Sequence, residues 1–373
     1  MSIRDCRKEL LNFAKQKRKE CRVAVLADFF LDRFINLNWN PAEFSGLIAD
    51  VARRKGGSID GISQTDIHGG NAINVASALA NLRAEVAPIV CTSRYGRELI
   101  RYYFKGTAVN ISHVKVRDRA SVTTALEFRD NDEKTNVMIR DLGSLTTFGP
   151  DDLDEKDYAE IEDSDYACLF NWAGTLRNGT ALALAVFSRA KKSEKTKAYY
   201  DTADPTPNRG AVADLMQKVL KSNLIDVLSV NENEAIVYAG LLDETLDDKK
   251  DRSDFSELAM EAARVLAKNL KARIDLHTTV FSATLRGKKE VVAPAFKVKV
   301  LRATGAGDAW TAGNIIGDHN SLSDQCRLTL ANAVAACYLS DPEGKHPTWT
   351  KLHSFLQRSS IKDCSDEKTI KSG

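Results

Sequence analysis

Apolar residues fall in two rhythms along this chain. Short unbroken runs such as Val23 to Ala27 suit strands buried on both faces. Elsewhere the spacing is helical: Ile73, Ala76, Leu79, Ala80 and Leu82 predict a helix over 71–82, followed by a strand at Val86 to Cys91. Ser112 to Val116, Ser121 to Phe128 and Thr135 to Ile139 alternate polar and apolar residues, and the turn Asp130 to Glu133 joins the last two. With part of 34–67, these segments are assigned to a small β sheet lying over one rim of the body. From about residue 150 strands alternate with helices: Tyr166 to Phe170, Ala181 to Ala190, Lys197 to Tyr200, Asp226 to Val230, Phe255 to Ala272 and Asp275 to Val280. That alternation predicts a parallel sheet covered on both faces. Ligands of such sheets sit beyond the C-terminal strand ends.

A leading segment, Met1 to Glu20, is strongly charged and lacks the long apolar core of a secretory signal. Leu10, Leu11 and Phe13 suggest a short amphipathic helix packed on the body. The 373 residues suffice for one large α/β domain with a smaller appendage. The 53 basic and 51 acidic residues nearly cancel and are dispersed, which gives no electrostatic case for nucleic acid. No apolar run approaches the roughly 20 residues that span a bilayer. Seven scattered cysteines (6, 21, 91, 168, 326, 337 and 364) form no Cys-x-x-Cys pair and suit reduced thiols in a cytoplasm. The six histidines sit in no metal-ligand spacing and are assigned no chemistry.

The run Arg302-Ala-Thr-Gly-Ala-Gly-Asp-Ala-Trp-Thr-Ala-Gly313 carries the most chemistry. It follows the β-rich segment Val291 to Val300 and opens an Ala-rich helix. The small residues Gly305, Ala306 and Gly307 let successive N–H groups converge, backed by the positive end of that helix, which makes an anion site. Asp308 comes next, where a bound phosphate would repel a carboxylate unless it serves as a base. An anion cradle joined to a base is the minimum equipment for phosphoryl transfer. The plainer alternative is a turn whose Asp caps the helix.

A second element lies far upstream, His68-Gly-Gly-Asn-Ala-Ile-Asn74. Gly69 and Gly70 allow a ligand close to the backbone. Asn71 and Asn74 open the predicted helix on one face, and both amides suit a polyol. With these two elements the sequence resembles the ribokinase-like (PfkB) carbohydrate kinases. Gly-Gly-x-x-x-Asn looks like their N-terminal signature and Ala-Thr-Gly-Ala-Gly-Asp their C-terminal one. Val23 to Asp32 resembles their first strand with its sugar-binding Asp, Asp201 to Arg209 their Asp-Pro-Asn-x-Arg strand end, and Asn231-Glu-Asn-Glu234 their Asn-x-x-Glu motif.

The resemblance spans roughly 22 to 356 and implies a three-layer α/β/α fold with a mostly parallel central sheet and a β-sheet lid. It implies a kinase passing a phosphoryl group from a nucleotide, ATP or ADP, to a hydroxyl of a sugar or sugar derivative. Asp308 would be the general base, needing little pKa adjustment, and Gly305 to Gly307 the anion hole. Asp32, Gly69, Gly70, Asn71 and Asn74 would bind the acceptor, and Asp28 either touches it or caps a strand end. Asn231, Thr279, Gly287, Thr304 and Asn332 are assigned to the nucleotide. Asn231 and Glu234 would reach Mg²⁺ through water, although their spacing is equally that of a helix capping box.

Two departures stand out. Arg302 occupies a position often Asp in these kinases, where the Asp helps hold a monovalent cation; either its charge would replace that ion or it is an exposed loop residue. The usual Thr-Leu-Gly-x-x-Gly nucleotide loop is missing, with His277 to Gly287 in its place. Arg94 and Arg97, with Arg140 or Arg177, could bind a substrate phosphate or carboxylate, or simply lie on the surface.

The chain is thus expected to comprise a helical extension over 1–21, a kinase domain over 22–356 and a flexible tail over 357–373. Lid strands are expected from about 34–67 and 107–140, and the exposed lid face is the natural surface for a homodimer. Sugar-like acceptor and nucleotide are the expected partners. Three alternatives stay open: a nucleoside kinase using Phe29, Phe30, Phe34 and Trp39 around a base; a sugar-phosphate kinase; and a catalytically silent binding or regulatory protein.

Overall fold

The structure, a computed structural model, describes residues 3–130, 133–249, 254–301 and 304–359. Helix α1 (Ile3–Phe13) buries Cys6 and Leu10, and Phe13 meets Trp349 edge-on at 5.5 Å. The apolar run that follows becomes strand β1 (Arg22–Asp28), buried from Val23 onward. Phe29 alone separates it from β2 (Phe30–Asn36). Helix α2 (Pro41–Arg53) starts where Asn40 and Glu43 cap each other and proline fills the first turn. Then come β3 (Ser63–Gly69), α3 (Asn71–Asn81), β4 (Glu85–Thr92), α4 (Arg94–Tyr103), the two-residue β5 (Lys115–Val116), β6 (Ser121–Asp130) and β7 (Glu133–Asp141).

The second half alternates as the pattern predicts. It runs α5 (Glu155–Asp163), β8 (Tyr166–Phe170), α6 (Gly179–Ala190), β9 (Lys197–Asp201), α7 (Val212–Leu215), β10 (Val227–Val230), α8 (Glu232–Gly240), α9 (Phe255–Asn269) and β11 (Arg273–His277). The hairpin β12 (Phe281–Arg286) and β13 (Lys289–Pro294) follows, then α10 (Ala306–His319), α11 (Asp324–Leu339) and α12 (Trp349–Arg358).

Nine strands form the large sheet in the order β13-β12-β11-β10-β9-β8-β1-β4-β5, and all neighbours from β11 to β5 are parallel. Successive strand side chains point to opposite faces. Accordingly Val23, Val25, Cys168 and Tyr199 pack with α3, α10 and α11, while Ala24, Leu26, Leu169 and Tyr200 pack with α6, α8 and α9. Each buried valine or leucine stabilises by about 1.5–3 kcal/mol, which is why so apolar a strand occupies the sheet centre. The result is a three-layer α/β/α body. A separate four-stranded sheet, β3-β2-β6-β7, forms the lid.

Four expectations shift. The lid begins at Phe30, so Asp32 belongs to a lid strand, and 34–67 also contains α2. The segment 112–116 does not join the lid: Lys115 and Val116 pair with Cys91 and Thr92 at the edge of the large sheet, and Val114 is buried there. Strand β11 ends at His277, because the Thr278 hydroxyl turns back to Phe281. Strand β13 ends at Pro294, short of Val300. The turn residues 131 and 132, Arg302, and nearly all of the expected tail lie outside the described residues. Among the described residues no helix is long and apolar enough to cross a membrane.

Candidate active site

Parallel strands bring the ends of β1, β8, β9, β10 and β11 to one rim, and the site assembles there. Asp28 closes β1. Its carboxylate accepts the N–H groups of Asn71 and Ala72 at 3.0 and 2.9 Å and the Asn171 amide at 2.7 Å. Helix α3 has only Gly70 at its N-cap and no side-chain cap of its own, so Asp28 caps it from a neighbouring strand. Of the two roles open to Asp28, the structure gives it a cap, on α3 rather than on its strand. Burial nevertheless pushes its carboxyl above the usual range.

Crowding explains the paired glycines. A Cβ on Gly69 would fall 1.9 Å from the Asp32 carboxylate. One on Gly70, whose φ is +90°, would come within 3.1 Å of Asp28. The pair therefore makes room for two carboxylates as much as for a ligand. Asp32 accepts the Thr123 hydroxyl, burial raises its pKa to about 6, and its Oδ1 has no partner.

Asp308 lies in the first turn of α10 and is buried. The Asn71 amide donates to its Oδ1 at 2.9 Å and the Asn74 amide to its Oδ2 at 2.8 Å. Asn74 is steadied by His68 at 3.2 Å. Burial raises the Asp308 pKa to about 8, with Asp201 and Asp28 adding repulsion and the two amides opposing. The expectation of little pKa adjustment is therefore corrected: low-dielectric surroundings outweigh two hydrogen bonds.

Gly305 caps α10 at φ +84°, and a Cβ there would strike the Tyr338 hydroxyl at 2.8 Å. That hydroxyl donates to the Thr304 carbonyl at 3.1 Å, fixing the entry to the turn. By helix geometry the amides of Ala306, Gly307 and Asp308 have no intrahelical acceptor and can receive an anion. A cavity of about 440 Å³ opens beside them, lined by Thr279, Val280, Phe296, Val298, Trp310, Asn332 and His277 among others. A larger cavity, about 630 Å³ between residues 14–21 and Trp349, lies away from the Asp308 cluster and contains none of its residues.

Thr279 and Asn332 thus border the cavity, although the Asn332 amide already bonds Trp310, Ala293 and Pro294. Gly287 does not. It sits with φ +59° in the turn between β12 and β13, and β12 runs away from the rim because it is antiparallel to β11. Its assignment to the nucleotide is corrected on that ground. Asn231 and Glu234 form a complete capping box at the start of α8, with contacts of 2.8 to 3.0 Å. Glu234 is buried beside Asp201. Burial raises both pKa values, Asp201 to about 6 with Asp28 adding repulsion, and Glu234 well above its usual value with Asp201 adding repulsion. Suppressed carboxyls of this kind fit a nearby divalent cation, which would restore their charge, and Mg²⁺ characteristically keeps its waters. Among the described residues the one tight cluster of metal-ligand type, Cys21, Asp165 and His319, lies outside this rim.

Two residues were missed in the sequence. Asp201, which the sequence offered only as the start of the Asp-Pro-Asn-x-Arg-like segment, ends β9. His277 had none. Its ring packs against Trp310 with centroids 5.0 Å apart, and a Cβ on Gly307 would stand 3.1 Å from its Cε1. Nε2 is buried without a partner, and burial lowers the pKa to about 4, so the ring is neutral. Of the aromatic set, Phe29 and Phe30 are buried in the core and Trp39 stacks on Phe44. Phe34 and Trp39 are both half-buried.

Residues 46–351 match the model of the pfkB family carbohydrate kinases. No curated protein matches the sequence significantly. Among solved structures, Arabidopsis thaliana ribokinase complexed with ribose and ATP aligns over 91% of this chain and 99% of its own, at 17% identity and TM-score 0.65. Adenosine kinase from Sinorhizobium meliloti aligns over 91% and 99%, at 16% identity and TM-score 0.67. A putative ribokinase II from E. coli in complex with ATP and Mg²⁺ aligns over 91% and 100%, at 11% identity and TM-score 0.68. At such identities the likeness is one of fold.

Proposed function

Because the chain belongs to the pfkB family of carbohydrate kinases, we propose that it transfers the terminal phosphoryl group of a nucleotide, ATP, to a hydroxyl of a sugar or sugar derivative. The observation that carries this reading is the meeting of Asp308 with Asn71 and Asn74 beside the first-turn amides of α10. A base, a polyol-binding pair and an anion cradle stand within hydrogen-bond reach of one another. That juxtaposition also disfavours the catalytically silent alternative, which has no need for it.

In the proposed reaction the acceptor displaces the two asparagine amides from Asp308, accepts hydrogen bonds from those amides and donates a hydroxyl to the Asp32 carboxylate. The Asp308 carboxylate accepts the hydroxyl proton as the oxygen bonds to phosphorus and the bond to the nucleotide diphosphate breaks. The amides of Gly305, Ala306 and Gly307 stabilise the charge on the transferring group, and the neutral His277 ring adds a contact on the same side. Thr279, Thr304 and Asn332 border the nucleotide. Asn231 and Glu234, with Asp201, would hold Mg²⁺ through water; when bound it neutralises the β and γ phosphates. The lid excludes water from the reacting groups.

A kinase unit over 22–356, cytoplasmic location and a homodimer through the lid complete the proposal. Val137 and Ile139, 48% and 58% exposed on the outward lid face, support the last. The nucleoside-kinase reading loses its base sandwich with the burial of Phe29 and Phe30. Initial rates with ATP and with ADP over a panel of sugars, sugar acids, sugar phosphates and nucleosides test the reading. Turnover with none of them would sink it.

A further inference from the structure

We infer that the acceptor bears a negatively charged group, a carboxylate or a phosphate, bound by Arg140 from the lid. The inference rests on the reading of the chain as a kinase for sugar derivatives and names the class of sugar.

Ile67, Asp32, Thr123 and Arg140 are successive partners across β3, β2, β6 and β7. Cross-strand partners share a face of the sheet. Asp32 turns toward Gly69, at the threshold of α3, so this is the face over the site. Arg140 therefore projects over the same cleft. Its guanidinium carbon lies 5.2 Å from the centre of the Phe30 ring, and its charge reaches both Asp28 and Asp32.

The next row over, on the outward face, gives the contrast. There Arg33 faces Asp66 and the two pair through parallel hydrogen bonds of 2.7 Å. Arg140 faces Thr123 instead, and among the described residues no carboxylate pairs with it. Were its purpose to neutralise Asp32, the two would bond. Yet the Asp32 Oδ1 is left without a partner while the Arg140 side chain stays exposed.

Charge around the cleft sharpens the point. Asp28 lies close enough to Asp32, Asp201 and Asp308 to repel each of them, so an anionic acceptor needs one fixed cation to receive its charged end. A neutral polyol needs none. Two other arginines raised by the sequence are less suited: Arg97 pairs with Glu98 on its own helix, and Arg177 opens on a separate cleft with Leu176 and Lys218. Arginine also suits carboxylate and phosphate equally, through two parallel N–H donors.

Matched acceptors test this: D-gluconate against D-glucose, and D-ribose 5-phosphate against D-ribose. Each is assayed for binding by calorimetry and for turnover with ATP and Mg²⁺, in wild type, Arg140→Gln and Arg140→Lys. The anionic member of at least one pair is expected to bind more tightly than its neutral partner. Arg140→Gln should cut that preference about 10- to 100-fold, with Arg140→Lys intermediate. The carboxylate and phosphate arms identify the group. Anionic acceptors that bind no better than neutral ones, or equally well in Arg140→Gln, would overturn the inference. Asp308-dependent turnover of neutral sugars alone would leave the kinase reading standing without it. Arg140-dependent binding without any turnover would do the reverse.

Discussion

The Asn74 amide and the Asp308 carboxylate, 234 residues apart in sequence, meet at 2.8 Å. That bond ties the first turn of α3 to the first turn of α10, two helices packed together on one face of the large sheet. Both helix starts aim their N–H groups at the same rim, and Asp28 and Asp308 share the positive field they create. Asp28 of β1 caps α3 from outside, while Gly305 gives α10 no side-chain cap.

The raised pKa of Asp308 has a catalytic consequence. A base must be ionised to take a proton, so kcat/KM for the acceptor should rise with pH and level off above about pH 8. A flat profile from pH 6 to 9 contradicts the assignment.

It has a stability consequence of the opposite sense. Between about pH 4 and about pH 8 the folded state keeps a proton on Asp308 that the unfolded state has released, so stability falls as pH rises through that window. Asp308→Asn removes this penalty. The variant should unfold at a higher temperature than wild type at pH 8.5, by an effect on the order of a few kcal/mol, with the gap narrowing toward pH 5. Melting curves at the two pH values decide it.

Gly69→Ala places a methyl group 1.9 Å from the Asp32 carboxylate. Since Asp32 must move, the acceptor KM should rise tenfold or more while the nucleotide KM changes little. Equal KM values for the acceptor in both proteins would mean Asp32 does not touch it.

His277→Ala should raise the nucleotide KM about tenfold, the worth of one hydrogen bond to a phosphate, with the acceptor KM within twofold. Gly287→Asn is the control, because asparagine tolerates the left-handed φ of +59° and the turn faces away from the cavity. Both KM values should stay at wild type; an altered nucleotide KM would restore Gly287 to the site.

Much of this was legible in the residues. Apolar runs located the central strands, and the small residues around Asp308 marked the cradle, because both depend on short stretches of chain. What the sequence concealed depends on tertiary neighbours. Asp28 reads as a strand end until α3 is seen to need a cap. Lys115 and Val116 alternate like lid strands, yet an open sheet edge claimed them. Gly287 reads as a ligand glycine until strand direction carries it away. His277 has no local signature at all, since its isolation comes from Gly307 and Trp310, 30 and 33 positions downstream.

The most direct measurement is the turnover of Asp308→Asn at saturating nucleotide and acceptor, set beside its nucleotide affinity. The account predicts a loss of about 10³-fold or more in kcat with nucleotide binding retained. A turnover close to wild type would show that the proton leaves by another route.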